Sequence, residues 1–286
     1  MIIAIGEVVW DIFPDRKALG GAPVNVAYHL NALGLDVRVI TRVGHDDLGE
    51  ITMERLAALG LDTAWVQRDD ELATGTVNVT FTADNEPSFE IVAPAAWDGI
   101  DREEALSAVA DTSFAMVFGT LAQRDPRSRA AIRALWGKAD TCFYDVNLRP
   151  PFTTRELVLD SLAAAHIVKV NEDELASLAK WAAITAAEKN GVAELLRQQY
   201  NLRALVVTEG GAGSWLAAEE GFFSVPGRKI TVADTVGAGD AFFSAFIAAC
   251  LGGQGWQACL AAADKRGAWV ASCYGATPER GKTGKE

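Results

Sequence analysis

The sequence of 286 residues predicts an α/β fold, in which a mostly parallel sheet is covered by helices on both faces. Two observations lead to this prediction. Short runs rich in β-branched residues alternate with segments of helical periodicity along most of the chain. Half of the residues are apolar, which is enough to bury one large core, or a core with a small appendage. Strands joined by helical crossovers run parallel, so their carboxyl ends are expected along one edge of the sheet.

Six segments are predicted as strands of this sheet, at residues 2–9, 37–43, 115–118, 142–146, 167–170 and 204–207. Helices are predicted between them, at residues 24–33, 48–59, 126–136 and 186–200. Polar residues follow most of these strands. Ligands of open parallel sheets bind beyond the carboxyl ends of the strands, so this edge is where a site is expected.

Residues 63–97 interrupt the alternation with three candidate strands and no helix, at residues 64–67, 75–81 and 88–92. A few strands inserted in an α/β chain predict a small sheet that stands off the main domain. We therefore expect a core of residues 1–62 and 98–286, with residues 63–97 as a β-rich lid. An extension at the edge of the main sheet is the alternative. The residues from Thr277 onward are expected to be frayed.

The formal net charge of −12 argues against nonspecific binding to nucleic acid or to an anionic membrane, because such partners are held by clustered basic residues. The apolar runs are far shorter than the roughly 20 residues that span a bilayer. The first residues are interpreted as a strand rather than a signal peptide, because they lack a basic start and a cleavage site.

The four cysteines lack the CxxC spacing of a zinc or redox site, and most lie in apolar surroundings. They are therefore predicted as buried free thiols in a reducing cytoplasm. The histidines have no common spacing or obvious partner, and are predicted to be structural: His29, His45 and His166.

Residues 234–243, DTVGAGDAFF, combine a glycine-rich turn, a helix start and a carboxylate. Such a turn directs backbone N–H groups and the positive end of the helix dipole at one point, which suits a phosphate oxygen. Asp240 would repel that phosphate. It is interpreted either as a helix N-terminal charge or as the base that deprotonates an attacking hydroxyl. Asp234 and Thr235 are candidate caps or cation ligands.

Gly20 and Gly21 precede Pro23, which suits the first turn of a helix, and the glycines permit a hinge or the close approach of a ligand. Asn25 on this helix is a cap or makes a hydrogen bond to another element, or else it is a group that faces sugar hydroxyls. Asp11 follows the first strand, where its carboxylate is able to accept hydrogen bonds from two vicinal hydroxyls; a turn-initiating role before Pro14 is the alternative.

Three further segments lie at predicted strand ends. Asn171 begins a helix as a cap with charged residues in its first turn, or else Glu174 of the same turn holds a hydrated magnesium ion. Residues 208–213, TEGGAG, form a second glycine-rich turn, which suits a nucleotide with several phosphates. An ordinary tight turn into a strand at residues 214–217 is the alternative. Arg149 is a candidate for bidentate binding of phosphate, or for pairing with a surface acid.

Together these segments resemble the PfkB, or ribokinase-like, family of carbohydrate kinases over nearly the whole chain. The resemblance is carried by GGAPVNVAYHLNALG from Gly20, VGHDDLG from Val43, YDVNLRP from Tyr144, NEDE from Asn171, TEGGAG from Thr208 and DTVGAGDAF from Asp234. The last of these is highly specific, whereas each of the others is weak alone. The resemblance implies a ribokinase-like fold with a small β-sheet lid.

The resemblance also implies roles for individual residues. Asp240 is similar to the family's catalytic base, and its anion hole corresponds to Gly237, Ala238 and Gly239. Magnesium and phosphate binding is implied for Asn171 and for Glu174, the latter through water, and ATP binding for Thr208, Gly210 and Gly213. Sugar contacts are implied for Asp11, Gly21 and Asn25. Asn147 and Arg149 are further candidates for substrate binding. ATP and Mg²⁺ are the implied cofactors, with K⁺ near Asp234, and the lid is implied as a homodimer interface.

The segments GGAP at residues 20–23 and AWD at residues 96–98 are more similar to those of fructokinases than to those of ribokinases. This similarity favours fructose as the acceptor. The segment ADKRGAWVASCY within residues 260–274 departs from the family, because it is charged where small apolar residues are usual. This departure bears on the adenine pocket and on a monovalent-cation site.

The sequence leaves two alternatives to a fructokinase and argues against a third. The first alternative is a kinase of the same family whose acceptor is another sugar, a sugar acid or a nucleoside. The second is a sugar-binding regulatory protein with weak catalysis. The third, a Rossmann oxidoreductase, is rejected, because the glycine-rich turn lies near the C-terminus and Phe242 stands where the last glycine would be.

Overall fold

The computed structural model describes residues 1–81, 87–110 and 112–279. Its strands are β1 (Ile2–Ile5), β2 (Val9–Ile12), β3 (Lys17–Gly20), β4 (Val37–Gly44), β5 (Val66–Asp69), β6 (Thr76–Phe81), β7 (Pro87–Ile91), β8 (Ala115–Gly119), β9 (Thr141–Asp145), β10 (Ile167–Asn171), β11 (Ala204–Thr208), β12 (Gly213–Ala218) and β13 (Gly221–Pro226). The helices are α1 (Ala22–Ala32), α2 (Asp47–Ala58), α3 (Arg102–Ser107), α4 (Pro126–Trp136), α5 (Arg155–Ala164), α6 (Glu172–Trp181), α7 (Lys189–Gln199), α8 (Ala238–Leu251) and α9 (Trp256–Ala271).

A nine-stranded sheet forms the centre of the molecule, in the order β13-β12-β11-β10-β9-β8-β1-β4-β5. The strands from β11 to β5 are parallel, whereas β12 and β13 are added antiparallel at one edge. The predicted α/β class and mostly parallel sheet are therefore confirmed.

The alternation of side chains along β1 shows why both faces of the sheet are covered. Ile3 and Ile5 belong to a core cluster that α3 to α7 complete from one side. Ile2 and Ala4 point to the opposite face, where they join the cluster built by α1, α8 and α9. Because both faces are buried, the strands are apolar at nearly every position. Within the described residues, no helix is both long and apolar enough to cross a membrane.

The predicted continuous strand at residues 2–9 is wrong. The amide of Gly6 donates to the carbonyl of Ile40, and there the pairing of β1 with β4 ends. The chain then crosses to a second sheet, in which Trp10 donates its amide to the carbonyl of Gly75. Gly6 has a φ of 152°, and a Cβ there would lie 2.7 Å from Cγ of Pro23, so the crossing point requires glycine.

The second sheet has four strands in the order β3-β2-β6-β7. Its strands β6 and β7 agree with two of the candidate strands of the predicted lid, whereas β2 and β3 come from residues 9–20. The remaining candidate strand, at residues 64–67, is β5 and pairs with β4 in the main sheet, which was the alternative considered. The division into a core and a lid stays a prediction. The C-terminal part of the predicted frayed tail, residues 280–286, lies outside the described residues.

The four cysteines are free thiols, and three of them are buried: Cys142, Cys259 and Cys273. Cys250 is partly buried.

Candidate active site

The start of α8 carries the most specific of the sequence motifs. Gly237 caps the helix in the left-handed conformation with a φ of 75°. A Cβ on Gly237 would lie 2.4 Å from Cβ of Ala276, so no other residue fits this turn. Within the described part of the chain, the N–H groups of Gly239 and Asp240 have no hydrogen-bond acceptor, whereas Ala238 donates to the carbonyl of Thr235 at 3.2 Å. Free amides at a helix start form an anion-binding position. Residues 234–239 are called the anion loop below.

Asp240 lies in the first turn of α8 and is partly buried. Its Oδ2 accepts a hydrogen bond of 2.8 Å from Nδ2 of Asn25 on α1. Burial raises the pKa of Asp240 to about 6, and the negative charge of Asp145 acts in the same direction. The hydrogen bond from Asn25 and the positive charges of Lys169 and Arg149 oppose this rise in pKa. A carboxylate with a pKa near neutrality is suited to accept a proton from a hydroxyl.

A buried ion pair lies beside the anion loop. Nζ of Lys169 on β10 contacts both carboxylate oxygens of Asp145, at 2.8 and 2.9 Å. The side chains are only 9% and 6% exposed. The same ammonium lies 3.6 Å from the position of a Cβ on Gly239, which places its positive charge next to the free amides. Burial lowers the pKa of Lys169, but the charges of Asp145 and Glu174 outweigh burial, so the net direction is upward.

The sequence did not single out Lys169 or Asp145 as site residues. A usable signal exists for Lys169, because a single lysine in the apolar strand IVKVN has to be paired if that strand is buried on both faces. Asp145 lies within the quoted motif YDVNLRP, directly before the valine that follows β9.

The predicted sugar contacts gather around the junction of β3 and α1. Gly21 has a φ of 111°, and a Cβ there would lie 2.5 Å from the carbonyl oxygen of Glu7. Asn25 is 5% exposed, and its Oδ1 is buried without a hydrogen-bond partner. Asp11 on β2 is half-buried, burial raises its pKa, and its Oδ2 lies 3.2 Å from where a Cβ of Gly20 would be. Asp11 thus presents a carboxylate oxygen close to Gly20, and Asn25 stands one helical turn after Gly21, to whose carbonyl its amide donates.

Glu7 is a second group that the sequence did not single out, and it lies two residues after the end of β1. It is 4% exposed, and its Oε2 has no hydrogen-bond partner. Burial raises the pKa of Glu7 to about 7, while Arg149 lowers that pKa and Asp240 raises it. With Asp145 and Asn147, Glu7 lines a small cavity at the carboxyl ends of the central strands.

Asn147 and Arg149 follow β9. Asn147 has a positive φ of 38°, which a non-glycine residue adopts rarely. Arg149 is exposed, and its Nη1 donates to the carbonyl of Leu148 at 3.0 Å. Its positive charge lowers the pKa of both Glu7 and Asp240.

Asn171 and Glu174 form a reciprocal cap at the start of α6. The amide of Glu174 donates to Oδ1 of Asn171 at 2.8 Å, and the amide of Asn171 donates to Oε2 of Glu174 at 2.8 Å. Oε1 of Glu174 accepts from the amide of Leu148 at 2.9 Å. The capping interpretation is therefore confirmed, and it leaves one lone pair on each oxygen for a water ligand.

The second glycine-rich turn lies beside this cap, because Thr208 is the register partner of Asn171 across β10 and β11. Gly210 and Gly213 have positive φ values of 54° and 118°. A Cβ on Gly213 would lie 2.2 Å from the carbonyl of Val225, so the backbone packs too closely for a side chain. The hydroxyl of Thr208 donates to the carbonyl of Val170 at 3.3 Å.

Asp234 ties the anion loop to the segment after α9. Its Oδ1 accepts from the amide of Val236, and its Oδ2 accepts from the amide of Gly275, both at 3.0 Å. No group of three or more His, Cys, Asp or Glu side chains in the described ranges is arranged to hold a metal ion. Any cation at Glu174 or Asp234 would therefore depend on water, carbonyl or phosphate oxygens as well.

Comparison with known proteins agrees with this geometry. Residues 6–280 match the model of the pfkB family carbohydrate kinase. A fructokinase of Klebsiella pneumoniae is 30% identical over 260 residues, which cover 86% of this chain and 83% of that protein. An aminoimidazole riboside kinase of Salmonella typhimurium is 28% identical over 257 residues, covering 83% of this chain and 77% of that protein.

Solved structures share the fold. An uncharacterized sugar kinase from Pyrococcus horikoshii in complex with ATP superposes with a TM-score of 0.83 at 25% identity, over 97% of this chain and 94% of that chain. A fructokinase from Vibrio cholerae with fructose, ADP and calcium bound gives a TM-score of 0.82 at 24% identity, over 96% and 94% of the two chains. The protein therefore belongs to the pfkB family of carbohydrate kinases, which are phosphotransferases with an alcohol group as acceptor.

Proposed function

We propose that this protein transfers the γ-phosphoryl group of ATP to a hydroxyl of a monosaccharide, and that the acceptor is fructose. The observation that supports this most directly is the position of Asp240. It stands beside two free amides at the start of α8, and is held by Asn25 from the predicted sugar side. A carboxylate placed against an anion site is unfavourable unless it serves the chemistry.

In the proposed reaction, the acceptor hydroxyl attacks the γ-phosphorus while Asp240 takes the hydroxyl proton. The bond from the γ-phosphorus to the bridging oxygen breaks, and ADP leaves with that electron pair. The amides of Gly239 and Asp240 stabilise the negative charge of the group in transfer. The ammonium of Lys169 lies near these amides and adds positive charge, although Asp145 neutralises much of it.

Asp11 and Asn25 are the proposed contacts to the acceptor. The unpartnered Oδ1 of Asn25 and the carboxylate of Asp11 accept hydrogen bonds from sugar hydroxyls, while Gly21 lets the backbone approach the ring. Arg149, which follows the positive-φ residue Asn147, is free to reach toward a phosphate. The relatives that carry the name fructokinase support fructose over other sugars.

The nucleotide is proposed to lie along Asn171, Thr208, Gly210 and Gly213. In support, Asn171 pairs with Thr208 across β10 and β11, and the two glycines belong to the turn that follows β11. Mg²⁺ would be held through water by Glu174, and would neutralise phosphate charge there. Mg²⁺ prefers few carboxylates and several waters. This preference fits Glu174, whose two carboxylate oxygens already accept hydrogen bonds from backbone amides. The proposal also includes K⁺ near Asp234 and a homodimer formed through the small sheet. A cytoplasmic location, which suits the free thiols, is a further part of it.

Release of ADP with a panel of sugars, sugar acids and nucleosides, in the presence of ATP and magnesium, tests the acceptor. Fructose is expected to give the highest kcat/KM. A nucleoside that exceeds every sugar would instead support the second candidate, which the aminoimidazole riboside kinase relative favours. ADP release with none of these acceptors would favour a sugar-binding regulatory protein.

Asp240→Asn tests the mechanism in the same assay. We expect kcat to fall by roughly 100-fold or more, because the amide takes up no proton, while sugar affinity measured by calorimetry changes little. Asp36→Asn, which neutralises an exposed carboxylate at the far end of α1, is the matched control and should leave kcat unaltered. Full activity of Asp240→Asn would overturn the assignment of the base.

A further inference from the structure

The segment after α9 packs directly beneath the anion loop. Ala276 is the residue that leaves no room for a side chain on Gly237, since a Cβ there would lie 2.6 Å from its Cα. The amide of Gly275 is bound by Oδ2 of Asp234 at the other end of the loop. Residues 274–278, called the bracing segment below, therefore set where the glycines of the anion loop lie.

Helix α1 holds the bracing segment from its other side. Nε2 of His29 lies 2.9 Å from the carbonyl oxygen of Ala276, and the hydroxyl of Tyr28 donates to the carbonyl of Pro278 at 2.5 Å. His29 is fully buried. It stands four residues after Asn25, on the same face of α1, so one helix face contacts both Asp240 and the bracing segment.

Arg266 on α9 determines which nitrogen of His29 carries the hydrogen. Its Nη2 lies 3.0 Å from Nδ1 of His29, and a guanidinium is able only to donate. Nδ1 must therefore accept, and Nε2 carries the hydrogen that is donated to Ala276. The Arg266 guanidinium lies 4.5 Å from the centre of the Trp269 ring, which restrains it in turn.

Arg266 and Trp269 belong to the charged segment that departs from the usual residues of the family. In the structure, Arg266 of this segment contacts His29 on α1, a histidine that the sequence predicted only as structural. The buried imidazole of His29 thus links α1 to α9 and to the bracing segment, which packs against the anion loop.

We propose that His29 and Arg266 are positioning residues for phosphoryl transfer, which hold the anion loop in place through the carbonyl of Ala276. This inference rests on the proposed role of the anion loop in binding the transferred group. Its effect is expected in the transition state, because the loop amides act on charge that develops during transfer.

The test compares His29→Gln with His29→Leu. Glutamine keeps an N–H at the position of Nε2, whereas leucine removes both the donor and the acceptor. We expect kcat to fall by about tenfold or more in His29→Leu, with the KM for the sugar within about twofold, and to be largely retained in His29→Gln. Binding of ADP with aluminium fluoride, which mimics the group in transfer, should weaken in parallel, while binding of ADP alone should not.

Arg266→Met keeps the apolar stem of the side chain and removes its donors. Its loss of kcat should be smaller than that of His29→Leu, and the double variant should be no worse than His29→Leu alone, because both act through Ala276. His166→Leu is the control for a general loss of stability, since Nδ1 of His166 accepts only from the amide of Cys142, at 2.9 Å, away from the anion loop.

All variants are assayed well below their unfolding temperatures. A folded His29→Leu with unchanged kcat, or with equal losses of ADP and ADP–aluminium fluoride affinity, would overturn the inference. A parallel Asp240→Asn assay separates the two claims. If Asp240→Asn loses activity as expected and His29→Leu keeps the kcat of the parent, the positioning role fails alone. If Asp240→Asn retains full activity, the proposed mechanism itself is wrong.

Discussion

Asn25 and Asp240 lie 215 residues apart in the chain, yet a hydrogen bond of 2.8 Å joins Nδ2 of the first to Oδ2 of the second. The bond fixes the orientation of the carboxylate and engages only one of its oxygens. Oδ1 of the carboxylate stays available to a substrate hydroxyl. Among the described residues, Oδ1 of Asn25 has no hydrogen-bond partner, so in the proposed reaction one asparagine orients both the base and the acceptor.

The pH dependence of activity should report this hydrogen bond. Because Asp240 has to be ionised to act as a base, and its pKa is raised to about 6, kcat/KM should fall about tenfold per pH unit below that value. The donor of Asn25 lowers the pKa of Asp240, so Asn25→Ala should move this acid limb to higher pH, whatever it does to sugar affinity. Profiles of kcat/KM against pH for the two proteins check this, and superimposable acid limbs would contradict it.

Removal of Lys169 should destabilise the fold strongly. In Lys169→Met, the carboxylate of Asp145 stays buried without its partner, and the free energy of unfolding should fall by about 3–5 kcal/mol. Urea denaturation at neutral pH measures this. The double variant Lys169→Met with Asp145→Leu removes the uncompensated charge and should recover much of the stability. If the single variant is as stable as the parent, the ion pair has no such role.

Gly21 should tolerate alanine far less than Gly34 does. Both have positive φ values, 111° and 88°, so both substitutions introduce backbone strain of roughly 1–3 kcal/mol. Only at Gly21 does the new Cβ approach another atom, the carbonyl oxygen of Glu7 at 2.5 Å, whereas no atom lies within 4 Å at Gly34. Comparison of the denaturation midpoint and the sugar KM of Gly21→Ala with those of Gly34→Ala isolates the effect of the close contact. Equal effects would show that the conformation alone matters.

His29 should make the protein sensitive to acid. Burial lowers the pKa of His29 to about 4, whereas the unfolded chain has the ordinary value of 6.5, so between these values the unfolded state binds more protons. Its contribution to stability is full above pH 6.5 and falls with pH, by about 3 kcal/mol on reaching pH 4. His29→Gln lacks this titration, so the difference in unfolding free energy between parent and variant should narrow or reverse from pH 7 to pH 4. A constant difference would count against the depressed pKa.

The parts of the molecule that were predicted from sequence depend on local chemistry. The anion loop and α8 were recognisable because glycines, the acid and an apolar run lie within eighteen residues of one another in the printed chain. The helices at residues 126–136 and 48–59 were likewise recognisable from periodicity and from their first turns.

The parts that were missed depend on distant partners. An apolar run such as residues 2–9 carries no mark of where a strand leaves one sheet for another, because Ile40 and Gly75 decide this through their carbonyls. Lys169 and Asp145 belong to neighbouring strands whose pairing is not visible in one sequence. His29 lacked an obvious partner for the same reason, since Arg266 and Ala276 lie more than two hundred residues away.

The chain leaves the main sheet after β1 and enters α1 at Gly21, where a Cβ would lie 2.5 Å from the carbonyl oxygen of Glu7, so these two residues are close together. The hairpin of β2 and β3 between them is thus closed at its base. Among the described residues, it is tied to the rest of the fold by its pairing with β6, by the burial of Val9 in the core and by side-chain contacts such as that of Trp10 with Thr52. A change of length at its tip, around Asp15, would not alter the register of β1. With the proposed role of Asp11 in binding the acceptor, acceptor preference in this architecture would diversify by exchange of this short hairpin, while the residues around Asp240 stay unchanged.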